Sequence, residues 1–120
     1  MHQVILSLAA NCNHEKNLSE SRSRLEQILS SITFSRELWT DPIGSHCILP
    51  DKYLNQLVRG CTQLPVDELS KWLKDTEIQM GRTPEDRQLG IVRIDIDLLE
   101  YDGQRYHLRD WERSYVKELL

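Results

Sequence analysis

The 120-residue sequence lacks any apolar run near the roughly 20 residues that a membrane-spanning helix needs. Its opening lacks a basic n-region. Met1-His2-Gln3 leads only into the short run Val4 to Ala10, which is expected to be a strand and not a secretion signal. There is no basic excess either: fifteen Lys plus Arg stand against nineteen Asp plus Glu, for a formal charge of −4. That balance counts against a general nucleic-acid binder, although local basic clustering could still hold a phosphorylated small molecule. Cysteine is scarce. Cys12, Cys47 and Cys61 are widely spaced without a CxxC, so neither a disulfide framework nor a zinc site is supported, and a reduced, cytoplasmic protein is expected. Internal repeats, low-complexity segments and linkers are absent. With 39% apolar and 28% charged residues, the chain suits one folded domain over residues 1–120.

Hydrophobic periodicity organises what is present. Val4 to Ala10 suits a buried strand that ends in the turn Asn11-Cys12-Asn13. Leu18, Leu25, Ile28, Leu29 and Ile32 recur at helical spacing, predicting an amphipathic helix from about Lys16 to Ser31. Ile32 to Thr40 resembles a second strand running into the breaker-rich loop Asp41-Pro42-Ile43-Gly44-Ser45-His46. Tyr53 to Thr62 is a third strand, with Tyr53, Asn55, Leu57 and Arg59 on one parity.

Leu64-Pro65-Val66-Asp67-Glu68 opens a second helix, with Pro in the first turn and acids at the positive dipole end, and Gly81 stops it. Polar Arg82 to Gly90, with Pro84, is expected to be a mobile loop. Ile91 to Leu99 alternates most clearly: Ile91, Arg93, Asp95 and Asp97 on one face, Val92, Ile94, Ile96 and Leu98 on the other. Asp102-Gly103 is a hairpin-type turn, and Leu108 to Leu120 reads as a short terminal helix. The order strand, helix, strand, strand, helix, strand fits a ferredoxin-like α+β fold (βαββαβ): one antiparallel sheet with two helices on one face.

Residues two apart on a strand share a face, so the carboxylates of Asp95 and Asp97 stand side by side and repel. A hard cation removes that repulsion, and Mg²⁺ with a nucleotide triphosphate is a common reason to build such a pair. The alternative is a solvent-facing strand on which Arg93 neutralises the acids. Glu77, Arg82 and Arg87 flank the preceding turn. The arginines suit phosphate oxygens, or all three are ordinary charges on a solvated helix end and loop. Asn55, beside Tyr53, suits the edge of a heterocycle or a polar strand edge. Trp39 and Trp72 are expected in the core, as is Cys61. His14, His46 and His107 share no ligand spacing and receive no role.

These motifs together resemble the 6-hydroxymethyl-7,8-dihydropterin pyrophosphokinase family from Val4 to about Gly103. Ala9-Ala10-Asn11 stands where that family has Gly-Ser-Asn. Trp39-Thr40-Asp41-Pro42-Ile43-Gly44 resembles its Tyr-x-Thr-x-Pro-x-Gly loop, and Tyr53-Leu54-Asn55 matches its Tyr-Leu-Asn. Glu77-Ile78-Gln79-Met80-Gly81-Arg82 is similar to its Glu-x-x-x-Gly-Arg helix end. Arg93-Ile94-Asp95-Ile96-Asp97-Leu98-Leu99 resembles its Arg-Thr-Leu-Asp-Leu-Asp signature.

The resemblance implies a single pyrophosphokinase-like domain that transfers pyrophosphate from ATP to a pterin hydroxymethyl group in folate biosynthesis, with pterin and ATP as small-molecule partners. Asp95 and Asp97 would hold Mg²⁺. Glu77 would border the adenosine site, and Arg82, Arg87 and Arg93 would lie near the phosphates. Thr40, Pro42, Tyr53 and Asn55 would form the pterin pocket. A non-catalytic nucleotide- or pterin-binding module on the same fold is the alternative. Two segments depart from the family pattern. Arg87-Gln88-Leu89-Gly90-Ile91-Val92-Arg93 stands where the family has Arg-Trp-Gly-Pro-Arg. Tyr106 to Tyr115 stands where it has Pro-His-x-x-x-x-x-Arg-x-Phe, and the sequence ends at Leu120 before the family's longer C-terminal region.

Overall fold

Central strand β1 (His2–Ala10) carries a continuous buried run from Val4 through Leu8. In the computed structural model, which describes residues 1–41 and 52–120, it is flanked on both sides. The antiparallel sheet runs β2 (Leu29–Phe34), β4 (Tyr53–Thr62), β1, β5 (Asp95–Tyr101) and β6 (Gln104–Arg105), and β3 (Leu38–Thr40) also pairs with β4. The inner order β2-β4-β1-β5 is the ferredoxin-like arrangement expected from the sequence. Pairing on both edges satisfies the backbone of β1, which explains how so apolar a strand can be buried.

Alternation divides the sheet into two faces. Val4, Leu6 and Leu8 of β1, Leu54 and Val58 of β4, and Ile96 and Leu98 of β5 pack against Leu18 and Leu25 of α1 (His14–Leu25) and Leu69 and Leu73 of α2 (Val66–Gln79). Each of these fully buried leucines contributes on the order of 1.5–3 kcal/mol. On the opposite face, Ile5, Leu57 and Leu99 pack against Trp111 and Val116. Those two residues come from α4 (Leu108–Trp111) and α5 (Ser114–Leu119), so the second face is covered over only part of its area.

Several boundaries differ from the sequence reading. α1 stops at Leu25, and Leu29 and Ser30 pair with Thr62 and Cys61 instead of extending the helix to Ser31. Cross-strand pairing here overrides a helical spacing that these few apolar residues satisfy equally well. The expected strand Ile32–Thr40 is broken at Ser35, whose hydroxyl accepts the Leu57 N–H and whose own N–H donates to the Leu57 carbonyl. Arg82 to Gly90 is not a loop throughout: it contains α3 (Pro84–Leu89). Thr83 and Asp86 form a capping box, Pro84 occupies the first turn, and Gly90 ends the helix at φ 72°.

The strand expected from Ile91 begins at Asp95, and the residues before it are tied to Asn11, whose backbone N–H donates to the Val92 carbonyl. The Asn11 side chain donates to the Gly90 carbonyl and accepts the Val92 N–H. The single terminal helix expected over Leu108–Leu120 is two short ones. Trp39 is not a core residue: it is 52% exposed on the three-residue strand β3 and meets the His14 ring edge-on. Trp72 packs at the margin of the main core, and Cys61 is only half-buried. Pro42, with the rest of the loop after Asp41, lies outside the described residues.

Candidate functional site

Strand register builds the site. Ala9 pairs with Asn55 of β4 on one side and Asp95 of β5 on the other, so Asn55, Ala9 and Asp95 form one row across the sheet. Two residues along, Ser7 pairs with Asp97. All of these side chains share the face away from α1 and α2. The small Ser7 and Ala9 leave a hollow of about 240 Å³ above them, bordered by Asn55, Thr40, Tyr53, Asp95 and Asp97 and walled by Asp110, Arg113 and Tyr115. A second hollow, about 270 Å³, opens between β5 and α2 beside Lys74, Glu77, Arg82 and His107. A third, about 160 Å³, is lined by Arg82, Arg87, Arg93 and Tyr53. Asp95 borders all three hollows and Asp97 the first two.

The carboxylate pair is incompletely neutralised. Burial, followed by the nearby charges of Asp97 and Glu77, pushes Asp95 up to about 6, against the opposing pull of Arg82. Burial also raises Asp97; Asp110 adds to the rise, while His107, Lys74 and Arg82 oppose it. Arg82 Nη1 lies 3.4 Å from Asp95 Oδ1 but only 2.7 Å from Glu77 Oε1. Glu77, raised chiefly by its own burial, also accepts the Ile96 N–H at 2.7 Å. Among the described residues no cation lies within ion-pair distance of Asp97.

Arg93 does not neutralise the pair. Its guanidinium donates to both oxygens of Asp86, at 2.9 and 3.3 Å, and its stem lies against Gly81. Arg87 lines the third hollow with no ion pair among the described residues. The Asn55 amide is also committed in part. Its Nδ2 donates to the Leu38 carbonyl at 3.1 Å and to Thr40 Oγ1 at 2.7 Å, while among the described residues no donor meets Oδ1.

The donor set suits a hard divalent ion. Mg²⁺ is commonly held by one or two carboxylates, with phosphate oxygens and water completing its six ligands. Among the described residues no group of three or more His, Cys, Asp and Glu side chains could hold a metal by itself, and a cation on Asp95 and Asp97 would take its remaining ligands from water or from oxygens of a bound molecule. The structure brings Thr40, Tyr53, Asn55, Glu77, Arg82, Arg87, Arg93, Asp95 and Asp97 of the expected site to the three hollows. Ser7, Lys74, His107, Asp110, Arg113 and Tyr115, to which the sequence assigned no site role, line them as well. The spacing of His107, Arg113 and Tyr115 equals that of His, Arg and Phe in the family segment quoted above, which is the signal that could have found them.

The family model for 7,8-dihydro-6-hydroxymethylpterin-pyrophosphokinase matches residues 5–120. The chain is 30% identical over 124 aligned positions to "Folate synthesis bifunctional protein" of Arabidopsis thaliana, covering 95% of this chain and 25% of that protein. It is 33% identical over 123 positions to "Folate synthesis bifunctional protein, mitochondrial" of the same plant, covering 96% of this chain and 22% of that protein. The chain therefore spans about a quarter of the length of these curated relatives. No helix among the described residues is long and apolar enough to cross a membrane. With its match running through the Asp95–Asp97 strand to the last residue, the chain belongs to the 7,8-dihydro-6-hydroxymethylpterin-pyrophosphokinase family.

Proposed function

We propose that this chain transfers pyrophosphate from ATP to 6-hydroxymethyl-7,8-dihydropterin, in keeping with the folate synthesis named for its relatives. The hydroxymethyl oxygen bonds to the β-phosphorus, the bridge to the α-phosphate breaks, AMP leaves and the hydroxyl proton is lost to water. Such transfers depend on positioning and charge neutralisation more than on a strong base. The observation that carries the reading is the half-buried, same-face Asp95–Asp97 pair at the junction of three hollows.

Mg²⁺ held by Asp95 and Asp97 would supply neutralisation of the phosphate oxygens. Arg82 and Arg87 offer guanidinium donors to those oxygens from the third hollow. On the sheet face, Asn55 Oδ1 accepts from an N–H of the pterin, since its own N–H groups are spent on Leu38 and Thr40. Tyr53 and Tyr115 offer apolar walls for a flat ring.

AMP release from MgATP and the pterin alcohol tests the reading. Turnover is expected, and to be lost in Asp95→Asn/Asp97→Asn. It should fall on the order of 10²–10³ below that of a family enzyme with the Trp-bearing loop, because Leu89 stands where that Trp covers the substrates. One observation favours the alternative of a non-catalytic binding module on the same fold: Arg93, displaced by one position from the family pattern, is taken up by Asp86. Binding of both ligands without AMP release would establish that alternative.

A further inference from the structure

Two acids compete for Arg82. Its Nη1 lies 2.7 Å from Glu77 Oε1 and 3.4 Å from Asp95 Oδ1, so the pairing with Glu77 dominates. The Glu77 side chain is only 6% exposed, whereas that of Arg82 is about half exposed. The other Glu77 oxygen, Oε2, accepts the N–H of Ile96, the residue between Asp95 and Asp97. Beyond β1, β5 pairs only through Glu100 and Tyr101 with β6, so at Ile96 a side chain of α2 serves where a further strand would pair. Glu77 is thereby fixed at one oxygen and holds Arg82 with the other.

We propose that Glu77 is a positioning residue that holds Arg82 off Asp95, leaving the Asp95–Asp97 pair charged for a divalent cation. The inference rests on the cation-binding reading of that pair. An Arg82 released from Glu77 has less than an ångström to move for its long 3.4 Å contact with Asp95 to become a close ion pair, and such a pair competes with a cation for the same oxygens. A half-buried, charge-assisted contact at 2.7 Å opposes this, and the backbone bond keeps Glu77 from following the arginine.

The test is Mn²⁺ affinity of the full chain, measured by electron paramagnetic resonance. Mn²⁺ serves as the hard-oxygen probe for Mg²⁺. The set is wild type, Glu77→Gln, Arg82→Gln and the double variant, with Asp95→Asn as the site control. Glutamine at 77 retains an acceptor for Ile96. Glu77→Gln is expected to weaken Mn²⁺ binding about tenfold in the wild-type background and less than about threefold in the Arg82→Gln background. Loss of one negative charge by itself acts equally in both, so equal factors would overturn the proposal.

If Glu77→Gln fails to fold, Arg82→Gln alone decides. A held arginine predicts a change below about threefold, and a rise of about tenfold would mean that Arg82 already neutralises Asp95. Wild type that binds no Mn²⁺, or binds it unchanged in Asp95→Asn, removes the cation reading and this proposal with it. Binding at Asp95 with equal Glu77→Gln factors removes this proposal alone.

Discussion

Two acidic sites lie a few residues apart in this chain and are treated in opposite ways. Asp86 sits at the start of α3, accepts from Thr83 N–H and meets the Arg93 guanidinium with both oxygens. The Arg93 hydrogen bonds hold its carboxyl below the usual carboxylate range. Asp95 is half-buried beside Asp97 and Glu77, and its carboxyl is pushed up to about 6. A sequence selected only for stability would settle both sites like the first. Leaving the second unsettled points to a ligand that completes it.

The largest expected effect is on the unsettled pair. Asp95→Asn/Asp97→Asn should lower AMP release by at least on the order of 10³, since it removes both candidate metal ligands, while leaving the far-ultraviolet circular dichroism unchanged. The reverse result belongs to Asp86. Asp86→Ala strips the α3 capping box and leaves Arg93 without its partner, which should destabilise the protein by about 1–3 kcal/mol in urea titrations. Mn²⁺ affinity should change little. If both variants lost stability and cation binding alike, the contrast between the two sites would collapse.

The pH dependence sharpens the same contrast. Asp95 has a folded pKa near 6, raised above its ordinary 3.8, so its contribution to stability is fully present below about 3.8 and is lost as pH rises through about 6. Asp86 is lowered, so its contribution is present above its ordinary 3.8 and is lost as pH falls through its folded value. In the ligand-free protein the gap in Tm between Asp95→Asn and wild type should therefore widen in favour of the variant from pH 4 to pH 7. The gap between Asp86→Asn and wild type should narrow below pH 4. Thermal melts across that range read both.

A smaller effect is expected at Asn55. Asn55→Ala should weaken pterin binding by roughly 1–3 kcal/mol and nucleotide binding by much less, measured by calorimetry. Equal losses for both ligands would mean that its bonds to Leu38 and Thr40 serve the fold alone. The smallest effect belongs to Arg87, an arginine without an ion pair among the described residues, where Arg87→Ala should cost nucleotide binding about 1 kcal/mol or less and lose its effect at high salt.

What could be read from the sequence was local. The parity of Asp95 and Asp97 needs only a strand, and β1, β4 and α2 each carry one clear period, so the sheet order followed from their succession. The end of α1 was hidden because Ile28, Leu29 and Ile32 satisfy a helix, and only pairing of Leu29 and Ser30 with β4 decides against it. α3 was missed although Thr83-Pro84-Glu85-Asp86 carries its own cap, since polarity and Pro84 suggested a loop. Asp110, Arg113 and Tyr115 reach the site only because Trp111 and Val116 bury themselves against Ile5, Leu57 and Leu99. Apart from the family spacing shared by His107, Arg113 and Tyr115, no local pattern announces a contact of that kind.

The central claim, that Asp95 and Asp97 form an incompletely neutralised pair awaiting a cation and its phosphate ligand, is tested most directly by thermal unfolding at pH 7. Wild type and Asp95→Asn/Asp97→Asn would each be melted with and without Mg²⁺ plus a non-hydrolysable ATP analogue. The account predicts that without ligand the double variant melts above wild type, because two neighbouring, half-buried anions that repel each other have gone, and that the ligands raise the wild-type Tm alone. A double variant that melts below wild type without ligand, or gains as much from Mg²⁺ and the analogue, would contradict it.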